Sequence, residues 1–241
     1  TPIDDIFPAR EISTATERDS AALLALFNER HRAARGDEVL AARMRSYELA
    51  SRMQRVVPEV TDLARETAAM HALYGIDGTA TDDFGRACLM TRRMLEAGVR
   101  FVQLFSGGAF GSPRINWDGH ENMLQNHGQE AVRIDKPLAG LLTDLRRRGL
   151  LDDTLVLFTS EFGRTPFTQS DANVVGDGRD HNQYGFSVWM AGAGLKPGFA
   201  YGATDEIGMR AVENPVHWHD FHATVLNLPG VPHERLAFYP P

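Results

Sequence analysis

The sequence predicts an α/β fold preceded by a helical region. Three observations carry this expectation. Apolar residues recur at three- and four-residue spacing over residues 17–97, the period of a helix face. Three short runs rich in β-branched and aromatic residues then follow, VRFVQLF, TLVLFT and FSVWMA, as strands require. A long helical pattern separates the first two runs, and strand, helix, strand, loop, strand is an α/β order. The expected division is a helical region at 1–97 and an α/β portion at 98–241, joined as one continuous structural unit.

Residues 1–16 hold Pro2 and Pro8 and are expected to be a loop. Leu23, Leu26, Phe27 and Arg30 share one helix face; Leu40, Met44 and Tyr47 do the same in the next segment. Pro58 and the Gly75-Ile-Asp-Gly78 turn are expected to break the helical series, since proline and glycine punctuate it. Thr81 or Asp82 is placed to cap the helix that runs to Gly98. Val99–Phe105 is the first expected strand, and residues 106–120 form a glycine-containing loop. Its Gly107, Gly108 and Gly111 do not match a phosphate loop. Ile134, Leu138, Leu141, Leu142 and Leu145 line one face of the following helix, with Pro137 near its first turn or kinking it. Gly149 ends that helix. Thr154–Thr159 is almost wholly apolar, as a strand covered on both faces of a parallel sheet is. Phe186–Ala191 makes a third strand, and His219–Leu228 a helix packed on the sheet. Three strands are few for a chain of 241 residues, so the sheet is expected to be incomplete.

A formal charge of −7 argues against a general nucleic-acid binder, which carries a basic face. No apolar run reaches the ~20 residues of a membrane helix. Cys88 is the only cysteine, so an internal disulfide is excluded; its helical spacing with Phe84 and Leu95 predicts a small buried residue. The chain opens TPIDDIF, with no Met and no basic-then-apolar leader, so a mature protein or an excised piece is expected.

Chemistry concentrates in the second half. Asp118 and His120 fall in the loop after the first expected strand. Glu161 and Arg164 follow the second, with Asp180 and His181 later in the same connection. In open parallel sheets, ligands bind beyond the carboxyl ends of the strands. Carboxylates and imidazoles gathered there are what a divalent metal requires. Asp118, His120, Glu161, Asp180 and His181 are therefore the candidate ligands. Zinc suits the imidazoles, and calcium or magnesium a mainly carboxylate site. Arg164 and Arg179 either clamp an oxyanion, as the guanidinium fork permits, or pair with Glu161 or Asp180. His217, His219, Asp220 and His222 either support the ligands by hydrogen bonds or bond locally at a helix start. Thr159 and Ser160 have no neighbouring histidine in sequence to activate them, and His31, His71, His127 and His233 are expected at the surface.

Longer strings add a resemblance. AVRIDKPLAGLLTDLRRRGLLDDTLVLFTSEFG resembles the helix and strand that lead to Thr-Ser-Asp-His-Gly in sulfatases and phosphodiesterases, with Glu161 at the Asp position and Phe162 at the His position. NWDGHENM resembles the Asp and Gly-His motif of cofactor-independent phosphoglycerate mutases. EFGRTP, GDGRDHN, YGFSVWMAGAGLKPG, YGATDEIG, AVENPVHWHDFHATVL and HERL together resemble domain-of-unknown-function family 1501, a sulfatase-like family of the alkaline phosphatase-like superfamily.

That resemblance implies an α/β/α sandwich with a mostly parallel sheet, and a metal-dependent hydrolase acting on a phosphate or sulfate ester, from a small molecule or a glycan. The family pattern opens with a strand and a Gly-Gly-Pro-Ser type motif carrying an Asp, which this sequence lacks. The expectation is therefore a C-terminal half, with the N-terminal half and the nucleophile missing. A non-catalytic binding or structural module that keeps the fold is the alternative. Full-length relatives imply export to the periplasm or cell surface.

Overall fold

The computed structural model describes residues 12–35, 38–107, 116–173 and 175–237. The prolines of the expected N-terminal loop, Pro2 and Pro8, lie outside the described residues, as do Gly108 and Gly111. The chain is mixed α/β. Six α-helices are seen among the described residues: α1 (Thr14–Arg35), α2 (Glu38–Thr61), α3 (Ala68–Leu73), α4 (Asp82–Glu96), α5 (Met123–Arg147) and α6 (Trp218–Asn227). The strands are short: β1 (Leu155–Phe158), β2 (Gly163–Arg164), β3 (His181–Asn182), β4 (Trp189–Gly192), β5 (Ala203–Thr204) and β6 (Ala211–Glu213). Two compact units result. One holds the described residues up to Arg65 with Arg93–Val99, the other Glu66–Arg92 with those from Arg100 onward.

The first unit holds α1 and α2, two of the helices within the expected helical stretch. Leu23, Leu26 and Phe27 do sit at helical spacing, but α1 buries none of its residues. Pro58 does not break the series; it lies in the last turn of α2. The Thr61 hydroxyl donates to the Val57 carbonyl at 2.9 Å, a side-chain bond where the helix backbone runs out of partners. Arg93 donates to the carbonyls of Val60 and Glu59 at 2.8 and 2.6 Å, tying the end of α4 to the end of α2.

The second unit is organised by α5. Ile134, Pro137, Leu141 and Leu145 form its buried stripe, the three-four spacing expected of an amphipathic helix. Pro137 is inside the helix rather than at its first turn. Gly140 on the same stripe meets the backbone of Leu73, where an added Cβ would lie 2.6 Å from the Leu73 carbonyl oxygen. Only a residue without Cβ lets α3 and α5 come this close. Tyr74 follows α3 and is fully buried. Its hydroxyl donates to Asp144 at 3.0 Å. Asp144 also faces the Arg92 guanidinium at 3.1 Å and accepts from Arg148 at 2.8 Å. Arg92 in turn pairs with Glu66 at 2.8 Å. Burial pushes the Tyr74 phenol pKa up, and the Asp144 charge pushes it further. Cys88 is buried on α4 as expected, its thiol pushed up to about 12 by burial. Thr81 stands just before α4, but its hydroxyl donates to the Gly75 carbonyl at 2.6 Å, while Asp82 accepts from Gly78 N–H at 2.9 Å.

The strand expectations are met in part. β1 is present and pairs with β4, which is shorter than the predicted Phe186–Ala191 and shifted toward its end. The pairing is antiparallel, with Leu155 opposite Gly192 and Phe158 opposite Trp189. The expected parallel sheet is not seen among the described residues, where each strand pair is antiparallel. Parallel neighbours need a crossover, usually helical; the connection from β1 to β4 instead holds β2, β3 and irregular backbone. Val99–Phe105, the first predicted strand, joins no ladder. It keeps a strand's alternation, with Phe101 and Phe105 about 80% exposed and Val102 and Leu104 half-buried. A strand without a neighbour has no ladder to make.

The buried carboxylate gives a direct test. Asp144→Ala removes the partner of a buried guanidinium, and such losses cost about 3–5 kcal/mol. A urea titration should show the midpoint falling accordingly; an unchanged midpoint rejects the role given to this network.

Candidate metal centre

The site is built on a long hairpin. β2 pairs with β3, with Gly163 opposite Asn182 and Arg164 opposite His181. Residues directly opposite in a ladder point to the same face, so pairing alone brings the Arg164 and His181 side chains together. The hairpin continues beyond the ladder: Thr165 N–H donates to the Asp180 carbonyl at 2.9 Å and Gln169 N–H to the Gly178 carbonyl at 3.0 Å. Asn182 is buried, and its amide donates to the Met209 carbonyl at 3.0 Å, anchoring β3 to the loop before β6.

The Asp118 loop is clasped to this hairpin. Buried Asn116 accepts from Asp118 N–H at 2.9 Å, a local turn that sets the loop's path. His127, on the first turns of α5, contacts the Trp117 carbonyl through Nε2 at 2.8 Å. Arg179 N–H donates to the Gly119 carbonyl at 2.9 Å, and Asn122 N–H to Asp177 at 2.8 Å. At Gly178 the two backbones touch. A Cβ there would fall inside the His120 carbonyl group.

Three ligand atoms converge as a result. Asp118, His120 and His181 each offer one, all within 4.8 Å of one another. Asp118 Oδ1 lies 2.9 Å from His120 Nε2 and 3.3 Å from His181 Nε2, and the two Nε2 atoms are 3.1 Å apart. Zinc–nitrogen bonds of about 2.0–2.1 Å in a tetrahedron place neighbouring ligand atoms about 3.3 Å apart. The residues present therefore fit a small divalent cation. His120 Nδ1 is 2.6 Å from the Gln169 side-chain oxygen. That oxygen only accepts, so Nδ1 is the donor in this pair, and in the neutral ring Nε2 is then the nitrogen with the lone pair a metal takes. Phe162 lies against the His181 ring, with centroids 4.1 Å apart. Arg164 donates through Nη2 to Asp118 Oδ1 at 2.6 Å and through Nη1 to the Arg179 carbonyl at 3.1 Å. This Arg164 hydrogen bond, more than any other contact, holds the Asp118 carboxyl below its ordinary range.

The other predicted residues lie elsewhere. Glu161 is exposed and outside the cluster. Asp180 accepts from the His181 backbone N–H at 2.7 Å, a local bond. The predicted pairs of Arg164 with Glu161 or Asp180 give way to Arg164 with Asp118. Arg179 donates to the Gly178 carbonyl at 3.0 Å. His217 caps α6, accepting from His219 N–H at 3.2 Å. His222 bonds the Trp218 carbonyl at 2.7 Å, and the Asp220 carbonyl accepts from Thr224. These are the local helix-start bonds. His127, expected at the surface, is half-buried and supports the site. Gln169 and Gly178 were not singled out by any sequence signal. Neither lies in a periodic segment, and their partners are 49 and 58 residues away in sequence.

The chain belongs to the family described as Protein of unknown function (DUF1501), which matches residues 1–241. Comparison with curated proteins and with solved structures found no match.

The clasp predicts its own weak point. Gly178→Ala forces two backbones apart, and overpacking of this kind costs about 1–3 kcal/mol. Chemical denaturation should show that loss; a variant as stable as the parent would remove the clasp from the argument.

Proposed function

We propose that this family member is a metal-dependent hydrolase of the sulfatase or phosphatase type, acting on a phosphate or sulfate ester. The observation that carries the reading is the convergence of Asp118 Oδ1 and the Nε2 atoms of His120 and His181, with Gln169 fixing the His120 tautomer. Two imidazoles and one carboxylate favour zinc; a calcium or magnesium site would draw more carboxylate oxygens. A bound divalent ion would polarise the ester's non-bridging oxygen and stabilise the charge that develops there. Arg164 stands at the cluster, largely buried and held by the Arg179 carbonyl, and its planar fork suits a tetrahedral oxyanion. Phe162 lies against one side of the His181 ring.

The same reading places the chain in the alkaline phosphatase-like superfamily, with its sheet completed by another segment. The extended run from Arg100 to Ser106, with Phe101 and Phe105 turned outward, supports this.

A second reading has its own support. Phe162 stands where the resembling enzymes carry a metal-binding histidine, and it stacks on His181 instead of offering a ligand atom. The exposed Leu23, Leu26 and Phe27 of α1 suit a partner surface. These favour a non-catalytic module that keeps the fold.

Zinc titration calorimetry and elemental analysis test the site itself. The parent should retain one ion, whereas Asp118→Ala and His181→Ala should retain essentially none; equal, negligible metal in all three rejects the site. Gln169→Leu should weaken zinc binding by roughly 10–100-fold, as losses of outer hydrogen bonds do. Aryl sulfates and aryl phosphates offered with zinc, calcium or magnesium separate the two functional readings. Metal-dependent turnover lost in His120→Ala supports the hydrolase, and absence of turnover in a metal-loaded parent supports the module.

A further inference from the structure

Asp118 Oδ1 is crowded. The same oxygen receives Arg164 Nη2 at 2.6 Å, faces His120 Nε2 at 2.9 Å and faces His181 Nε2 at 3.3 Å. Arg164 Nη1 also lies 3.5 Å from His120 Nε2. The guanidinium therefore contacts two of the three ligand atoms of the cluster. A carboxylate oxygen that is hydrogen-bonded to a cation is a poorer donor to a second cation, and two positive charges at one oxygen repel each other. The repulsion is weakly screened here, because the Arg164 side chain is only 17% exposed.

We propose that Arg164 is an internal counter-ion that competes with the divalent ion for Asp118, and so sets the affinity and ease of release of the metal. The proposal rests on the metal-site reading above. In the cation-free protein the guanidinium neutralises Asp118 and keeps the carboxylate in place. When a divalent ion binds, Nη2 gives up the shared oxygen. Nη1 keeps its bond to the Arg179 carbonyl, and the β2–β3 pairing keeps the side chain beside His181. Arg164 thus stays at the rim with Nη2 free to donate to an incoming anion. Arg164 is a positioning residue in this scheme. It differs from a residue that merely holds the loops together: loss of a structural support weakens metal binding, whereas loss of a competitor strengthens it.

The experiment is zinc titration calorimetry on chelator-treated full chain at one fixed pH, comparing the parent with Arg164→Gln and Arg164→Met. Far-UV circular dichroism confirms that each is folded. Two neutral replacements of different shape guard against one that fails to fold. The expected result is zinc binding tighter than the parent by on the order of tenfold in the folded neutral variants. Arg164→Lys keeps the charge but not the fork and should gain less. Folded neutral variants that bind zinc equally or more weakly than the parent overturn the proposal while leaving the metal site standing. A parent that binds no zinc overturns the site itself, and the proposal with it.

Discussion

One buried carboxylate organises the helical part of the second unit. From its place on α5, Asp144 gathers a phenol from the residue after α3 and two guanidinium groups, one from α4 and one from the residue after α5. Taking such groups out of water is costly unless each finds a partner. Here the charges answer one another: Arg92 faces Glu66 as well as Asp144, and the Tyr74 hydroxyl donates a hydrogen bond to the same carboxylate. The arrangement works at one spacing of the helices only. Gly140 sets that spacing by letting α5 rest on the Leu73 backbone. Polar specificity and close packing thus fix one another. The apolar stripe through Ile134, Leu141 and Leu145 supplies the hydrophobic stabilisation around them.

The candidate metal centre follows a different principle. The β2–β3 hairpin and the Asp118 loop are held together by backbone hydrogen bonds, by one glycine contact, and by the start of α5. The result is a cluster in which each group has an assigned role. Gln169 sets a tautomer, Phe162 covers a ring, and His127 and Asn116 set the loop that presents Asp118.

The helices were legible in the sequence because their period is local. The stripe of α5 and the strand β1 sit where the spacing of Leu141, Leu145 and Leu155–Phe158 places them. The failures share a cause as well. Pro58 and Pro137 lie inside their helices, where the local reading of proline is a break, a first-turn residue or a kink. Strand orientation depends on what the chain does between strands, so TLVLFT alone did not reveal an antiparallel partner. At the site, Asp118, His120 and His181 were readable as ligand types in suitable loops. Glu161 and Asp180 had the same types and similar placement, yet stand outside the cluster. Only the register of β2 with β3, and the contact at Gly178, separates the two sets. Both are long-range facts.

The extended run from Arg100 to Ser106 carries a colloidal consequence. It alternates Phe101 and Phe105 outward with half-buried residues, and it holds a single charge. Backbone donors and acceptors of such a run are a template for another chain, and short apolar segments with β-branched and aromatic residues are those that stack into fibrils. In concentrated solution this segment is where self-association would nucleate, and a cover for it would act as a solubilising cap as much as a structural element.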